Sequence, residues 1–340
     1  MTNKILLIYT GGTIGMEKND KGALEPMDFS DLISLIPALK QLGVTIDTFP
    51  FSEPIDSSNI EADFWQKIAN TVIDNYNEYS GFVILHGTDT MAYTSSVLSF
   101  MLQGLNKPIV LTGSQLPLGS LRTDGRANLI TSIEIAAAKA LNNVEVPEVS
   151  VCFEQTLYRG NRITKHYSDK FNAFMSHNYP PLARVGTSIF YDQQNLMPAT
   201  DELKTYLKLD NRIKTVRLHP CMRESKFDQL YGDDVRAIIL ESYGTGNAPT
   251  FPWFLKKIEK AIDKGIIIAN ISQCPGGFVE MGVYQTSMHM QEIGILNGHD
   301  LTEEAAITKM MHLLGTYDDS DTIKRLFEKD LVGEMTNRPL

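Results

Sequence analysis

Cysteine is scarce. The 340-residue chain has three, Cys152, Cys221 and Cys274, an odd and widely spaced set. That excludes a disulfide framework and paired Cys/His zinc spacing, and it points to a reducing cytoplasm. No apolar run approaches the roughly 18 residues that a membrane helix needs. The run Ile5–Ile8 is too short for a secretion signal and glycines soon follow it, so no targeting segment is expected. Cations are in deficit, with 31 Lys+Arg against 41 Asp+Glu and a net charge of −10. A nucleic-acid surface needs clustered cations, so neither nucleic acid nor a membrane is an expected partner. The Gly-Lys-Ser/Thr of a P-loop, the G-x-S-x-G elbow and the HExxH helix are all missing. No metal and no cofactor are expected.

What is present is an ordinary globular composition, 43% hydrophobic and 21% charged. At about 150 residues per domain, the length predicts roughly two domains. Short apolar runs alternate with helix-period segments through the first half. Lys4–Tyr9, Val44–Phe49, Phe82–Leu85, Pro108–Leu111 and Val149–Phe153 read as strands. Leu32, Leu35, Ile36, Leu39 and Leu42 recur at helical spacing, with Asp28 or Ser30 as caps. Further helices are predicted over Glu61–Tyr79, Thr90–Leu102 and Asn128–Leu141. This alternation predicts a mostly parallel sheet with helices on both faces. Residues 178–212 break the rhythm with prolines and Asn, Gln and Asp. The pattern resumes with strands at Lys214–Leu218, Val235–Leu240 and Ile266–Ile271. The helix after Asn247 and the last two, near Glu303–Leu314 and Asp321–Phe327, complete it. The expected fold is two α/β domains: a larger N-terminal catalytic domain over 1–190, a linker over 191–212 and a smaller domain over 213–340.

Three predicted strands end in small-residue turns: Tyr9-Thr-Gly-Gly-Thr13, Leu85-His-Gly-Thr-Asp-Thr90 and Leu111-Thr-Gly-Ser-Gln115. Ligands of open parallel sheets bind at the carboxyl ends of strands, so these turns converge on one expected pocket. Gly11-Gly-Thr-Ile-Gly15 has Thr13 where a dinucleotide fingerprint needs its second glycine, which argues against a nicotinamide enzyme. Thr or Asp in His86-Gly-Thr-Asp-Thr90 can serve as a plain helix cap, but a cap explains only one of the three polar side chains. Lys165, in Arg159-Gly-Asn-Arg-Ile-Thr-Lys165, is by default a solvated surface charge. Desolvated beside a Thr and an Asp, it becomes a proton acceptor. Cys274, in Ser272-Gln-Cys-Pro275, has no basic neighbour in the sequence and reads as an unreactive buried thiol.

Taken together, Tyr9-Thr-Gly-Gly-Thr-Ile-Gly15 and Gly81-Phe-Val-Ile-Leu-His-Gly-Thr-Asp-Thr-Met-Ala92 resemble the two signature regions of the bacterial-type L-asparaginases, and most of all their cytoplasmic type I branch. The resemblance continues through Thr112-Gly-Ser-Gln115, Tyr158-Arg-Gly-Asn-Arg162, Ser242-Tyr-Gly-Thr-Gly-Asn-Ala-Pro249 and Ile271-Ser-Gln-Cys274. It implies hydrolysis of L-asparagine to L-aspartate and ammonia, with Thr13 as nucleophile on a lid that reaches about Met27. It implies a second catalytic group of Thr88, Asp89 and Lys165. It implies a substrate-binding turn of Asp56, Ser57 and Ser58, with Asp56 and Asp89 on the α-ammonium and the serines on the α-carboxylate. A homodimer or homotetramer is implied as well. The same fold serves glutaminases and a tRNA-dependent amidotransferase subunit. The acidic balance and the absence of an extra N-terminal domain argue against the tRNA role. A non-catalytic amino-acid sensor is the alternative from another class, and the presence of all four polar groups argues against it.

Two positions depart from the family pattern. Ala23 occupies the place of the lid tyrosine, so the activating phenol is expected from Tyr284 in Gly282-Val-Tyr-Gln285. Type I enzymes also have a second, allosteric asparagine site, whose matching positions are Thr164, Ser272, Gln273 and Cys274. Its arginine before Ser-Tyr-Gly is Glu241 here, and a carboxylate repels the effector's carboxylate. Asparagine-driven cooperativity is expected to be lost or altered.

Overall fold

A computed structural model describes residues 3–18, 24–26, 36–200, 202–228, 232, 234–282 and 285–336. The chain divides into two compact units, residues 1–176 with 180–207, and residues 177–179 with 208–340.

The apolar runs of the first half become the strands of one sheet. They are Lys4–Tyr9 (β1), Thr45–Pro50 (β2), Gly81–Leu85 (β3), Ile109–Thr112 (β4) and Val149–Phe153 (β5). All five run parallel, in the spatial order β2-β1-β3-β4-β5. Every residue of β3, β4 and β5 is buried, which is why their sequences are continuous apolar runs rather than alternating ones. Beyond β5 the sheet turns antiparallel through Thr156–Arg159 (β6), Ala183–Val185 (β7) and Ile189–Tyr191 (β8). The last two lie inside the stretch where the sequence rhythm breaks. Their three-residue runs are half-exposed and carry too little alternation to signal a strand.

Ala62–Asn75 (α1) buries Phe64, Trp65, Ile68, Ala69 and Val72, a stripe at helical spacing. Met91–Met101 (α2) buries all its residues except Tyr93, and Gly125–Ala136 (α3) buries Leu129, Ile133 and Ile135. The helix expected over residues 32–42 is described only in part. Pro37–Leu42 forms a 3-10 helix that starts on its proline and stops at Gly43, while Asp28, Ser30, Leu32 and Leu35 lie outside the described residues.

The second unit has its own parallel sheet, Ile213–Arg217 (β9), Ala237–Ser242 (β10), Ile267–Ser272 (β11) and Leu296–Asn297 (β12), in that order. Pro252–Asp263 (α4) packs Phe254, Ile258 and Ala261 with Ile238, Leu240 and Ile268. Glu303–Thr316 (α5) sets Ala305, Ala306, Met310 and Leu313 with Ile239, Ala269 and Ile271, joined by Ile323 and Phe327 of Ser320–Phe327 (α6). Thr302 and Asp319 cap α5 and α6 through their side chains. An ion pair is sealed inside this unit. Lys309 Nζ lies 2.6 Å from Glu334, both fully buried. Nζ also donates to the Lys329 carbonyl, and Glu334 accepts the N–H groups of Leu331 and Val332. Burial alone would raise the Glu334 carboxyl, but the Lys309 ammonium and these hydrogen bonds hold it below its ordinary value. No helix among the described residues is long and apolar enough to cross a membrane.

Candidate active site

The order β2-β1-β3-β4-β5 reverses direction between β1 and β3. The chain leaves β1 toward one edge of the sheet and β3 toward the other. A crevice opens at such a switch point, at the carboxyl ends of the strands. The two threonine turns emerge there.

At the end of β1, Gly11 and Gly12 have φ of 126° and 93°, a region that side chains rarely adopt. Space closes the same positions. A Cβ on Gly12 would lie 2.5 Å from the Gly87 nitrogen, and one on Gly11 would run into the Ile55 backbone. The first turn is thus pressed against both the Gly87 peptide and the segment leading to Asp56. Thr13 follows at once and opens a short 3-10 turn, Thr13–Gly15. Beyond it, Met16–Lys18 and Leu24–Pro26 pair antiparallel and form the two described arms of the expected lid. Ala23 lies outside the described residues.

At the end of β3, a Cβ on Gly87 would meet the Ser57 side chain. Thr90 is the N-cap of α2, yet its hydroxyl does not cap the helix. It donates to the Ser57 carbonyl at 2.7 Å and ties the helix to the 56–58 turn. In that turn the Ser58 N–H and hydroxyl both donate to Asp56 Oδ1 at 2.8 Å. Those bonds hold the Asp56 carboxyl below the usual carboxylate range.

Lys165 arrives from a separate loop. Thr164–Lys165 pairs with Phe174–Met175, and the Phe174 ring packs edge-on against Phe153 of β5 at 5.1 Å. The Lys165 side chain is 19% exposed, so it is not the solvated charge of the default reading. Its Nζ donates to Thr88 Oγ1 at 2.8 Å and to Asp89 Oδ1 at 2.6 Å.

Gln115, quoted in the third turn without a role of its own, belongs to this group. Its Oε1 accepts from Thr88 Oγ1 at 3.3 Å, and its Nε2 donates to the carbonyls of Ser168 and Lys170. Asp124 fixes the Gln115 backbone N–H with both carboxylate oxygens. The structure therefore brings Thr88, Asp89 and Lys165 into direct contact, adds Gln115, and places the Thr13 and Asp56–Ser58 turns against the same glycine. Tyr284 lies outside the described residues.

Residues 4–197 match the family model "Asparaginase, N-terminal", and residues 212–327 match "Glutaminase/Asparaginase C-terminal domain". The chain belongs to the asparaginase family. It is 40% identical over 337 residues to L-asparaginase 1 of Escherichia coli K12, covering 98% of each chain. L-asparaginase I from Vibrio cholerae superposes with a TM-score of 0.91 at 36% identity, over 99% of this chain and all of that one. A glutamyl-tRNA(Gln) amidotransferase polypeptide from Metallosphaera sedula is 32% identical over 99% of this chain and 78% of its own length.

In this asparaginase-family chain, four of the expected effector positions gather at the carboxyl ends of β10 and β11. The Gln273 amide donates to the carbonyls of Leu218 and Glu241, and the Ser272 hydroxyl donates to Gly244. Cys274 is exposed, which corrects the buried-thiol reading: its N–H bonds Ser272 Oγ in a loop that leaves the sheet. The Glu241 carboxylate is buried and bonds Arg217 of β9 at 2.8 Å. Burial pushes the neighbouring Glu303 carboxyl up to about 7, and the charges of Glu241 and Glu304 add to the shift. Thr164, the fifth position, is half-buried in the first unit, next to Lys165.

Proposed function

We propose that the chain is an L-asparaginase, a hydrolase of the side-chain amide of L-asparagine that works through a threonine nucleophile and an acyl-enzyme. The observation that carries this reading is the Lys165–Thr88–Asp89 contact at the switch point, against the turn that holds Thr13. Thr13 Oγ attacks the amide carbon, and its proton passes to the Tyr284 phenol oxygen as the phenol gives its own proton to the amide nitrogen. The C–N bond breaks, ammonia leaves with that proton and a Thr13 aspartyl ester remains. A water activated beside Thr88 and Lys165 attacks the ester carbon, aspartate departs and the Thr13 hydroxyl is restored. No step requires a metal ion.

Substrate binding follows from the same atoms. Asp56 and Asp89 each have Oδ1 engaged and Oδ2 without a partner among the described residues. Both Oδ2 atoms are assigned to the α-ammonium, and Ser57, Ser58 and nearby N–H groups to the α-carboxylate, with the Ser58 hydroxyl turning from Asp56 to donate to it. Charge-assisted bonds at both ends fix the amide for attack. The protein is proposed to act in the cytoplasm as a homodimer or homotetramer.

Ammonia release from asparagine, glutamine and D-asparagine across a concentration series tests the reading. Turnover of L-asparagine that falls by several orders of magnitude in both Thr13→Ala and Thr88→Val is the expected result. Near wild-type release in either variant overturns the role given to that threonine. Faster turnover of glutamine reassigns the substrate, since one methylene of pocket depth is worth about 1–3 kcal/mol.

A further inference from the structure

His86 immediately precedes the Gly87–Thr88 peptide and is fully enclosed at the end of β3. Its Nδ1 lies 2.7 Å from the Gly87 carbonyl oxygen, and its Nε2 lies 2.9 Å from Thr94 Oγ1 of α2. Thr94 Oγ1 in turn accepts the Trp65 indole N–H of α1 at 2.8 Å. The partners place the protons in this relay. A carbonyl can only accept, so Nδ1 carries the hydrogen. An indole N–H can only donate, so the Thr94 oxygen accepts from it and has its own hydrogen available for Nε2. With no carboxylate among the partners of this enclosed ring, we read it as neutral, in the Nδ1–H tautomer. Burial favours that state, pushing His86 down to about 4.

The backbone just upstream of the peptide held by this ring is sterically confined. Gly12 presses on the Gly87 nitrogen, Gly113 packs against the His86 carbonyl, and the His86 N–H bonds the Thr112 carbonyl at 2.9 Å. What those contacts leave free is rotation of the Gly87–Thr88 peptide plane, and the imidazole bond to the Gly87 carbonyl removes it. We propose that His86 is a positioning residue for the reaction: its Nδ1–H tautomer, enforced by Thr94 and Trp65, locks the Gly87–Thr88 peptide in the orientation that presents the Thr88 hydroxyl to Lys165. The proposal rests on the reading of Thr88 as catalytic.

Three variants and one spectrum test it. The Asn side chain in His86→Asn keeps a donor at the Nδ1 position, whereas Gln in His86→Gln keeps one only at Nε2. Thr94→Val removes the donor to Nε2 and releases the tautomer. Misplacing a reacting group costs about 10- to 100-fold in rate. We expect kcat to fall by that factor in His86→Gln and Thr94→Val with KM for asparagine unchanged, and His86→Asn to retain most of the wild-type kcat. Wild-type kcat in folded His86→Gln and Thr94→Val overturns the proposal. So does a loss shared equally by Asn and Gln that follows the fraction of folded protein. In the unmutated enzyme, two-bond 1H–15N spectra of histidine, assigned by the signal lost in His86→Asn, should show the Nδ1–H tautomer at neutral pH. An Nε2–H tautomer or a charged ring overturns the proposal whatever the variants do. Absence of amidase activity in the wild type would instead remove the function reading, with the tautomer still measured.

Discussion

One ammonium, that of Lys165, serves two acceptors at once: the Thr88 hydroxyl at 2.8 Å and the Asp89 carboxylate at 2.6 Å. The Asp89 side chain is 64% exposed, so this pair is screened by water and contributes little to folding. Its value lies in orientation. The Thr88 oxygen accepts from Lys165 and donates to Gln115, which leaves its remaining lone pair in a set direction.

Removing the ammonium should therefore separate activity from stability. Lys165→Met is expected to lower kcat by several orders of magnitude while changing stability by no more than about 1 kcal/mol. Denaturant titration and ammonia release on the same preparation check this. A stability loss of about 3 kcal/mol or more would identify the pair as structural.

The Lys309–Glu334 pair should behave in the opposite way. Removing one partner leaves a charge buried, so Lys309→Met or Glu334→Leu should each cost about 3–5 kcal/mol, and the double variant should recover much of it. Because the folded pKa of Glu334 is depressed, its contribution is present above the ordinary carboxylate range and lost as pH falls through the folded value. Additive single losses in the double variant, read from chemical denaturation, would show that the two residues are not coupled.

Acid should weaken the fold before most carboxylates titrate. His86 and His312 are both pushed down to about 4 by burial, from an ordinary 6.5. Between those values the unfolded chain binds the extra protons, so each histidine costs about 1.4 kcal/mol per pH unit as pH falls. Glu303 runs the other way. Its folded value is raised to about 7, so its contribution is present at low pH and lost as pH rises from 4.5 to 7. His299 is also pushed below its ordinary value by burial, so the histidines outweigh the one carboxyl and stability rises with pH between roughly pH 5 and 6.5. Glu303→Gln should steepen that slope by up to about one proton. Denaturation midpoints that do not move across that window would contradict the burial of these rings.

Initial rates against asparagine should follow a hyperbola. The Glu241 carboxylate is buried, and its partner is Arg217, whose side chain is 62% exposed. An incoming α-carboxylate at these positions meets Glu241 and Glu303 as well as that guanidinium. A clear sigmoid in the wild type that becomes hyperbolic in Glu241→Arg would sink the expectation.

The parallel core was legible because strands buried on both faces have no alternation to lose. Ile5–Ile8 and Phe82–Leu85 are short apolar runs that end in glycine turns, which favours a buried strand over a helix. The hairpin Ala183–Tyr191 was not legible, because it sits on the sheet's edge with half-exposed residues among prolines and amides. Within the site, Thr13, Thr88 and Asp89 stood out as hydroxyls and a carboxylate in glycine turns, whereas Lys165 read as a solvated surface charge until the family resemblance gave it a role. Gln115 did not, since an amide that bridges Thr88 to a distant loop reads in sequence like any surface glutamine. The path from Trp65 to Thr94 to His86 joins two helices and a strand end, and no spacing along the chain announces it.

Gly11, Gly12 and Gly87 together give the floor of the crevice a fixed gauge. Backbone meets backbone between Gly12 and Gly87, so the gap between the two threonine turns is set by the thickness of stacked peptides and owes nothing to side-chain size. Such a gap cannot be widened or narrowed by substitution without breaking it. Any retuning of this enzyme toward a longer or shorter amide must be made in the walls, around Asp56–Ser58 and Gln115, and leave the floor as it is.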